Sequence, residues 1–289
     1  MGFNVNSLSD KVLMSNNVGI PCLGFGTYKI DDDQQVYDMV ITALEVGYRH
    51  IDTAAFYMNE AGVGRAINDF IATTKIARED IFVTSKVWKT ERGYDKTIKA
   101  FEKTMDEIGL DYIDLFLVHW PASLTFDDDW KEINRDTWRG MMDIYKSGKA
   151  KAIGVSNFLS HHLDTIIDME IQPMVDQIEI SPGFRQQDTV DYCNEHGIIV
   201  EAWSPLGRGR SLNHPLILEL AEKYKKDSAQ IIIRWDLQNG IIPLPKSINK
   251  GRVVSNADVF DFEISKEDMT KLNAMERYGD SGHHPDEAW

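Results

Sequence analysis

Short apolar runs alternate with longer amphipathic stretches along the whole chain, and this alternation limits the possible folds more than any other feature. Eight such runs occur, at residues 22–27, 49–54, 80–86, 112–119, 150–157, 173–181, 198–204 and 241–247. Their Val, Ile and Leu content is typical of strands buried on both faces of a parallel sheet. Parallel pairing is also expected because each crossover between such strands needs a helix to return the chain.

The stretches between the runs have helical periodicity. Residues 32–47 place four apolar side chains on one face and end at Gly47, a residue that favours a helix C-terminus. The same pattern recurs in residues 94–110, 128–149 and 188–197. Eight strand–helix units within 289 residues predict one domain, residues 1–289, folded as a (β/α)8 TIM barrel of the α/β class.

Other segments flank the eight units. Residues 11–21 predict an N-terminal β-hairpin on the barrel floor, with residues 16–17 as its turn. Residues 249–262 and 265–275 are predicted to be helical. The polar C-terminal tail, residues 276–289, is expected to form a substrate loop over the barrel mouth.

The composition excludes several classes of function. The chain carries 31 Lys and Arg against 46 Asp and Glu, a net charge of −15, which disfavours nucleic-acid and membrane partners. Its two cysteines, Cys22 and Cys193, lack CxxC spacing, so we expect a reducing cytoplasm and no disulfide framework. We find no signal-peptide pattern and no apolar run of the ~18 residues that a membrane helix needs.

Polar residues follow almost every predicted strand. The active sites of (β/α)8 barrels lie at these strand ends. Here the ends carry Gly26, Thr27, Asp52, Lys86, His119, Asn157, Gln177, Ser204, Lys246 and Ser247. One polar residue after a strand usually caps a helix. Because Asp52, Lys86 and His119 follow three successive strands, however, we predict that they converge on one catalytic mouth.

Tyr57, five residues after Asp52, completes a possible proton donor. Tyrosine has a pKa of about 10 and is a poor donor at neutral pH. The Lys86 ammonium is expected to lower that pKa, and Asp52 to hold Lys86 charged and in position. His119 can donate a hydrogen bond to a substrate oxygen or relay the proton. These residues predict an acid that protonates a developing alkoxide.

A metal site is the alternative use of the same residues. His50 and Asp52 share one face of a strand, and with His119 they could form a facial ligand set. Lys86 would repel a cation, and the remaining strand ends supply few imidazoles. We therefore predict no metal and expect His50 to be structural, with a metal-dependent hydrolase as the alternative.

Two segments in the last third suit a phosphate group. Residues 204–210 carry Arg208 and Arg210 in a glycine-containing loop. Residues 245–256 bring cationic and hydroxyl groups to a predicted helix start, and these groups are Lys246, Ser247, Lys250 and Arg252. Barrel phosphate sites favour this region, where a helix dipole contributes. A Rossmann site is disfavoured, because GFGTYK at 24–29 lacks the third glycine.

Four stretches resemble the aldo-keto reductase superfamily, and the resemblance spans essentially the whole chain. They are GYRHIDTAAFYMNEAGVG, IDLFLVHWP, AIGVSNF and IPLPKSINKGRVVSN. The EAWSPLGRG loop and the short tail are most similar to bacterial reductases of the 2,5-diketo-gluconate reductase type. The resemblance implies a barrel that binds NADPH/NADP+ without a Rossmann fold and interconverts aldehydes or ketones with alcohols.

The resemblance also implies a role for each matching residue. The catalytic tetrad would be Asp52, Tyr57, Lys86 and His119, with Tyr57 as general acid and with hydride passing from nicotinamide C4 to the carbonyl carbon. The nicotinamide carboxamide would be held by Ser156, Asn157 and Gln177. Trp203 would stack on the nicotinamide ring. The ribose and pyrophosphate would be lined by Gly26, Thr27, Asp52, Ser204, Leu206 and Gly207.

At the other end of the cofactor, the resemblance implies that the 2′-phosphate is held by Lys246, Ser247 and Arg252. Asn256 would contact the adenine. Ser255 departs from the family pattern, since relatives commonly have an acidic residue there, and this leaves the adenine contact open.

The implied substrate pocket is aromatic. It would consist of Tyr28, Phe56, Trp88, His119 and Trp120, closed by residues 283–289. The expected partner is a small-molecule carbonyl compound, and the resemblance favours a monomer. A nucleotide-sensing binding subunit is the rival, although a complete tetrad argues against it.

Overall fold

The structure, a computed structural model, describes residues 2–122, 124–125 and 127–287. Near the N-terminus, β1 (Lys11–Leu13) and β2 (Gly19–Pro21) pair antiparallel as a hairpin. Its turn contains Asn17 in the left-handed region, with φ of 63°. The predicted N-terminal hairpin is confirmed.

Eight further strands form one parallel sheet in chain order. They are β3 (Phe25–Gly26), β4 (His50–Asp52), β5 (Phe82–Val87), β6 (Ile113–Val118), β7 (Ala150–Ser156), β8 (Val175–Glu179), β9 (Ile199–Trp203) and β10 (Ile241–Leu244). Backbone hydrogen bonds from Gly24 N to Pro243 O and from Gly26 N to Pro245 O, both 3.1 Å, join β3 to β10. The predicted (β/α)8 barrel is confirmed.

Helices surround the barrel. They are α1 (Asp33–Val46), α2 (Glu60–Thr73), α3 (Tyr94–Ile108), α4 (Trp130–Lys146), α5 (Ser160–Leu163), α6 (Gln187–Glu195), α7 (Pro215–Tyr224), α8 (Ser228–Gln238), α9 (Lys250–Ala257) and α10 (Lys266–Asn273). Helix α1 buries its predicted apolar face and ends at Gly47, whose φ of 115° favours glycine. Apolar side chains between helices and strands form the core, with Trp138 and Trp235 as its largest fully buried members.

The barrel interior is polar near the mouth. His50, Lys86, Gln177 and Glu201 are buried there, although strands buried on both faces are usually apolar. A narrow interior also explains Gly24, because a Cβ there would lie 2.4 Å from Leu244 Cδ2. Buried polar groups need hydrogen-bond partners, so this interior requires a specific network.

Several elements differ from the predicted pattern. Strand β4 ends at Asp52, and a 3₁₀ turn at Ala55–Tyr57 follows it. Helix α9 ends at Ala257 rather than at residue 262, because Gln230 Nε2 donates to Asp258 O (2.6 Å) and the chain turns there. Helices α7 and α8 lie between the predicted strands at 198–204 and 241–247, a stretch for which no helix bounds were predicted from the sequence.

Candidate active site

A cavity of about 820 Å³ opens at the C-terminal ends of the strands. Asp52, Tyr57 and His119 line it, and so do Lys246 and Arg252. The predicted proton-transfer residues and the predicted phosphate segment therefore share one continuous cavity. An extended ligand can contact both.

Lys86 lies beneath this cavity and joins Asp52 to Tyr57. Its Nζ lies 2.8 and 2.7 Å from the two carboxylate oxygens of Asp52 and 2.9 Å from Thr53 O. The hydroxyl of Tyr57 is 3.4 Å away. Lys86 is fully buried, so the ion pair with Asp52 supplies the charge that a buried ammonium needs.

The loop after β4 brings Tyr57 to Lys86. The 3₁₀ turn ends at Met58, which has φ of 54°, and the chain then enters α2. Asn59 fixes this loop: its Nδ2 donates to Thr27 O (3.0 Å) and Ile30 O (3.1 Å), and its Oδ1 accepts from Thr53 Oγ1 (2.7 Å). Sequence reasoning missed Asn59, because only its partners elsewhere in the chain reveal its role.

The pKa of the Tyr57 hydroxyl is raised well above 10 by burial, by the Asp52 carboxylate and by Tyr28. The prediction that Lys86 lowers this pKa is wrong, because the net shift is upward. Asp52 lies closer to the ammonium than Tyr57 does and offsets its charge. The phenol is consequently protonated at neutral pH.

His119 follows β6 and faces the same cavity. Burial, and then the Lys86 charge, lower the pKa of its imidazole well below 6.5, so the ring is neutral at pH 7. Its ring packs edge-on against Trp88, with 5.0 Å between centroids, and against Tyr57 at 5.7 Å. A neutral imidazole can donate a hydrogen bond to a bound oxygen without carrying charge.

Amide groups form the floor of the cavity near the tetrad. Asn157 Nδ2 donates to His119 O (2.9 Å), and Asn157 Oδ1 accepts from Trp203 Nε1 (2.8 Å). Gln177 Nε2 donates to Asp52 Oδ2 (2.9 Å) and to Glu201 Oε2 (3.0 Å). The network thus links the amides to the ion pair.

Most of the predicted cofactor contacts line the cavity: Gly26, Asp52, Asn157, Gln177, Trp203, Ser204, Leu206, Lys246, Ser247, Arg252 and Asn256. Thr27, Ser156 and Gly207 do not. Thr27 Oγ1 donates to Asp52 O (3.0 Å), and Ser156 Oγ donates to Gln177 O (2.7 Å), so both hydroxyls hold the wall from behind. Gly207 has φ of 57° and lies against Ser211.

The predicted phosphate segment at residues 245–256 fits an anion. Asn249 caps α9 through Oδ1, which accepts from Arg252 N (3.0 Å). Neither Lys246 nor Arg252 forms a salt bridge with another described residue, and both line the cavity. Unneutralised cations beside a helix N-terminus suit the terminal phosphate of a nucleotide. The residues present therefore fit a phosphorylated dinucleotide.

Aromatic side chains form the opposite wall. The rings of Phe56 and Trp88 stack with their centroids 3.9 Å apart, and the ring centroids of Tyr28 and Tyr57 are 5.0 Å apart. With Trp120, all the predicted pocket residues line the cavity. His283 of the C-terminal tail also lines it. Residues 288–289, part of the predicted closure, lie outside the described residues.

The tail is attached to the barrel by several contacts that the sequence did not indicate, and two of them flank His283. Ser281 N and Oγ donate to the carboxylate of Glu179, at 2.8 and 2.6 Å. Further along, Asp286 Oδ1 lies 2.8 Å from His161 Nε2 and 3.1 Å from His162 Nε2. These attachments hold the segment that carries His283 over the cavity.

His50, Asp52 and His119, the ligand set of the metal alternative, are not among the described groups whose ligand atoms lie close enough to share one ion. His50 Nε2 lies 2.9 Å from Thr84 Oγ1, which supports a structural role. Among the described residues, only His161, His162 and Asp286 have ligand atoms close enough to share an ion. Leu159 N donates to His162 Nδ1 (3.2 Å), so the ring proton is on Nε2, the atom that would have to bind the ion. That tautomer disfavours a metal.

Comparisons with known proteins agree with this architecture. The model for "Aldo/keto reductase family" matches residues 22–277. Glyoxal reductase of Bacillus subtilis (strain 168) is 46% identical over 282 residues, covering 97% of this chain and 98% of that protein. The 9,11-endoperoxide prostaglandin H2 reductase of Trypanosoma cruzi (strain CL Brener) is 41% identical over 279 residues, covering 95% of this chain and 94% of that protein.

Solved structures agree as well. The crystal structure of a Bombyx mori aldo-keto reductase in complex with NADP superposes with a TM-score of 0.85 at 35% sequence identity. The match covers 97% of this chain and 95% of that one.

Proposed function

This chain belongs to the aldo/keto reductase family, and on that premise we propose that it is an NADPH-dependent carbonyl reductase with Tyr57 as its general acid. The observation that carries the proposal is the position of Lys86, which joins Asp52 to Tyr57 beneath a cavity that also reaches Lys246 and Arg252. The proton donor and the cationic segment can therefore serve one extended cofactor.

The cofactor's two ends match two regions of the cavity. Lys246, Ser247 and Arg252 would hold the 2′-phosphate, and the indole of Trp203 would face the nicotinamide. NADPH, when bound, supplies the hydride that reduces the carbonyl carbon. Asn157 and Gln177 would orient its carboxamide.

Tyr57 would supply the proton. Its hydroxyl stays protonated at neutral pH and lines the cavity, so it can donate to the substrate's carbonyl oxygen as negative charge develops there. His119, as a neutral ring, would donate a second hydrogen bond to the same oxygen. Lys86 would stabilise the phenolate that forms, and in the reverse direction that phenolate would take the proton back.

The pocket wall supports a small, relatively apolar carbonyl substrate. Phe56, Trp88 and Trp120 offer aromatic surface rather than charge. Dicarbonyl compounds of the glyoxal type are the first substrates to test, because one relative is named for that activity. Similarity to 2,5-diketo-gluconate reductases remains a prediction.

We also propose that the whole chain acts as one domain, as a cytoplasmic monomer without nucleic-acid partners. The net charge of −15 supports the last point. No helix among the described residues is both long and apolar enough to span a membrane.

A carbonyl panel tests the proposal. The protein is mixed with aldehydes, ketones and dicarbonyls, and nicotinamide absorbance is followed with NADPH and NADH in parallel. We expect consumption of NADPH to exceed that of NADH and to survive a strong chelator. Binding of NADPH without carbonyl-dependent consumption would instead favour the nucleotide-sensing subunit, and loss of activity with the chelator would favour a metal enzyme.

A further inference from the structure

Glu201 lies in the middle of β9, fully buried inside the barrel, and the sequence patterns gave it no role. It stands directly beside Gln177 in the register of β8 and β9, so the two side chains point into the same interior. Its Oε2 accepts a hydrogen bond of 3.0 Å from Gln177 Nε2. Glu201 therefore contacts Gln177, a residue that lines the cavity, from inside the barrel.

This contact settles the orientation of the Gln177 amide. Nε2 lies between two carboxylate oxygens, 2.9 Å from Asp52 Oδ2 and 3.0 Å from Glu201 Oε2. Reversing the amide would place its oxygen against the Asp52 carboxylate, which pairs with Lys86 and offers no donor. Both N–H groups are thus occupied, and Oε1 is the atom left for the cavity that Gln177 lines.

The far side of Glu201 faces His50. The Oε1 atom lies 3.7 Å from His50 Nδ1, and neither atom has a hydrogen-bond partner among the described residues. Burial, and then the Asp52 charge, raise the pKa of Glu201 to about 8. Burial, and then Lys86, lower the pKa of His50 to about 3. At neutral pH the pair is uncharged, with a carboxylic acid facing a neutral imidazole.

We propose that Glu201 is a positioning residue, which fixes Gln177 so that the amide oxygen, not the amide nitrogen, faces the amino group of the nicotinamide carboxamide. The inference rests on the proposed function, because it assumes a nicotinamide at Gln177. Fixing the carboxamide fixes which face of the ring meets the substrate. Glu201 touches neither cofactor nor substrate and acts through Gln177 alone.

The hydrogen bond from Gln177 favours the ionised form of Glu201, whereas burial and the Asp52 charge favour the neutral form and prevail. The groups that face it are Gln177 from β8, Asp52 and His50 from β4, and Lys86 from β5, while its register partner on β10 is the apolar Ile242. When Glu201 ionises, a second carboxylate lies near Asp52 and no new cation faces it. The neutral form is therefore favoured at low pH and is lost as the pH rises through about 8.

The test compares Glu201→Leu with Glu201→Gln by titrating NADPH fluorescence without any carbonyl compound. Leucine removes the acceptor, so we expect the Kd for NADPH to rise about tenfold, whereas glutamine keeps an acceptor and should restore the parent value. With NADPH deuterated on one face of C4, the parent and Glu201→Gln should both transfer hydrogen from a single face of the ring. Glu201→Leu should transfer it from both faces.

One further measurement separates positioning from a general loss of structure. In the Gln177→Leu background, Glu201→Leu should add little to the Kd, because the residue through which it acts is gone.

Parent-like NADPH binding and deuterium selectivity in folded Glu201→Leu would overturn the inference, and so would full additivity of the two leucine variants. The proposed function fails separately, if the parent consumes no NADPH with any carbonyl compound. Weakened NADPH binding in Glu201→Leu would support the positioning role even then.

Discussion

The ammonium nitrogen of Lys86 lies 3.4 Å from the hydroxyl oxygen of Tyr57, the proposed proton donor. Tyr57 is not the closest partner of this ammonium. Asp52 holds the same ammonium at 2.7 and 2.8 Å. The Asp52 carboxylate thus offsets the charge of the Lys86 ammonium, while the Tyr57 phenol keeps its proton. As Tyr57 gives the proton away, the new phenolate lies beside a cation already in place, and little reorganisation is needed.

Replacing Lys86 by methionine tests this arrangement. The phenolate loses its cation, so we expect kcat to fall about 100-fold or more. The lone buried carboxylate of Asp52 should also lower the free energy of unfolding by about 3–5 kcal/mol. Steady-state kinetics and thermal unfolding measure the two effects.

The control is the double variant Lys86→Met/Asp52→Asn. Removing the uncompensated charge should restore part of the lost stability but none of the activity. A stable Lys86→Met protein with a kcat within about threefold of the parent would contradict the role assigned to Lys86.

Arg252→Ala should reduce the preference for NADPH over NADH. Arg252 lines the cavity and has no salt bridge to another described residue. A lost charge-assisted hydrogen bond is worth about 1.5–3 kcal/mol, so the Kd for NADPH should rise about 10- to 100-fold while that for NADH stays the same. Fluorescence titration with both cofactors measures this.

Lys250→Ala is the matched control, because Lys250 begins the same helix but does not line the cavity. It should leave both affinities near the parent values. A larger effect on NADPH from Lys250→Ala than from Arg252→Ala would place the phosphate elsewhere.

Asp236→Asn should stabilise the protein at neutral pH. Asp236 is fully buried in α8, and neither carboxylate oxygen has a hydrogen-bond partner among the described residues. Burial raises its pKa well above 3.8, so the folded state holds the proton more tightly than the unfolded state does. Stability is therefore lost as the pH rises above about 3.8, and the neutral asparagine avoids that loss. Thermal unfolding at neutral pH should show a gain of at least about 2 °C, which disappears near pH 3.

Asp268→Asn serves as the opposite case. Burial alone would raise the pKa of Asp268, but hydrogen bonds from Lys223, Tyr224 and Ser265 lower it below 3.8. Its contribution to stability is present above that pH and is lost as the pH falls through the lowered pKa. This variant should therefore be less stable than the parent at neutral pH. A gain from Asp268→Asn equal to that from Asp236→Asn would contradict this prediction, because it would show that the hydrogen bonds to Asp268 do not reverse the effect of burial.

The sequence predicted the barrel and brought the tetrad together, because strand spacing places strand ends at one mouth whatever the details of packing. It could not give the direction of the Tyr57 pKa, which depends first on how deeply the hydroxyl is buried and then on the nearby Asp52 carboxylate. Glu201 looked like a lone polar residue in a buried strand, and only its register with Gln177 reveals its contact. The role of Asp286 was not visible in the sequence either, because its partner His161 lies 125 residues away in the chain.

The central claim is that Tyr57 donates the proton and is not needed to bind the cofactor. The most direct measurement compares turnover and NADPH affinity in the parent and in Tyr57→Phe, which removes one hydroxyl and keeps the ring. We predict that carbonyl-dependent turnover falls about 100- to 10,000-fold while the Kd for NADPH stays within about twofold. Turnover in a folded Tyr57→Phe protein within about tenfold of the parent would contradict the account.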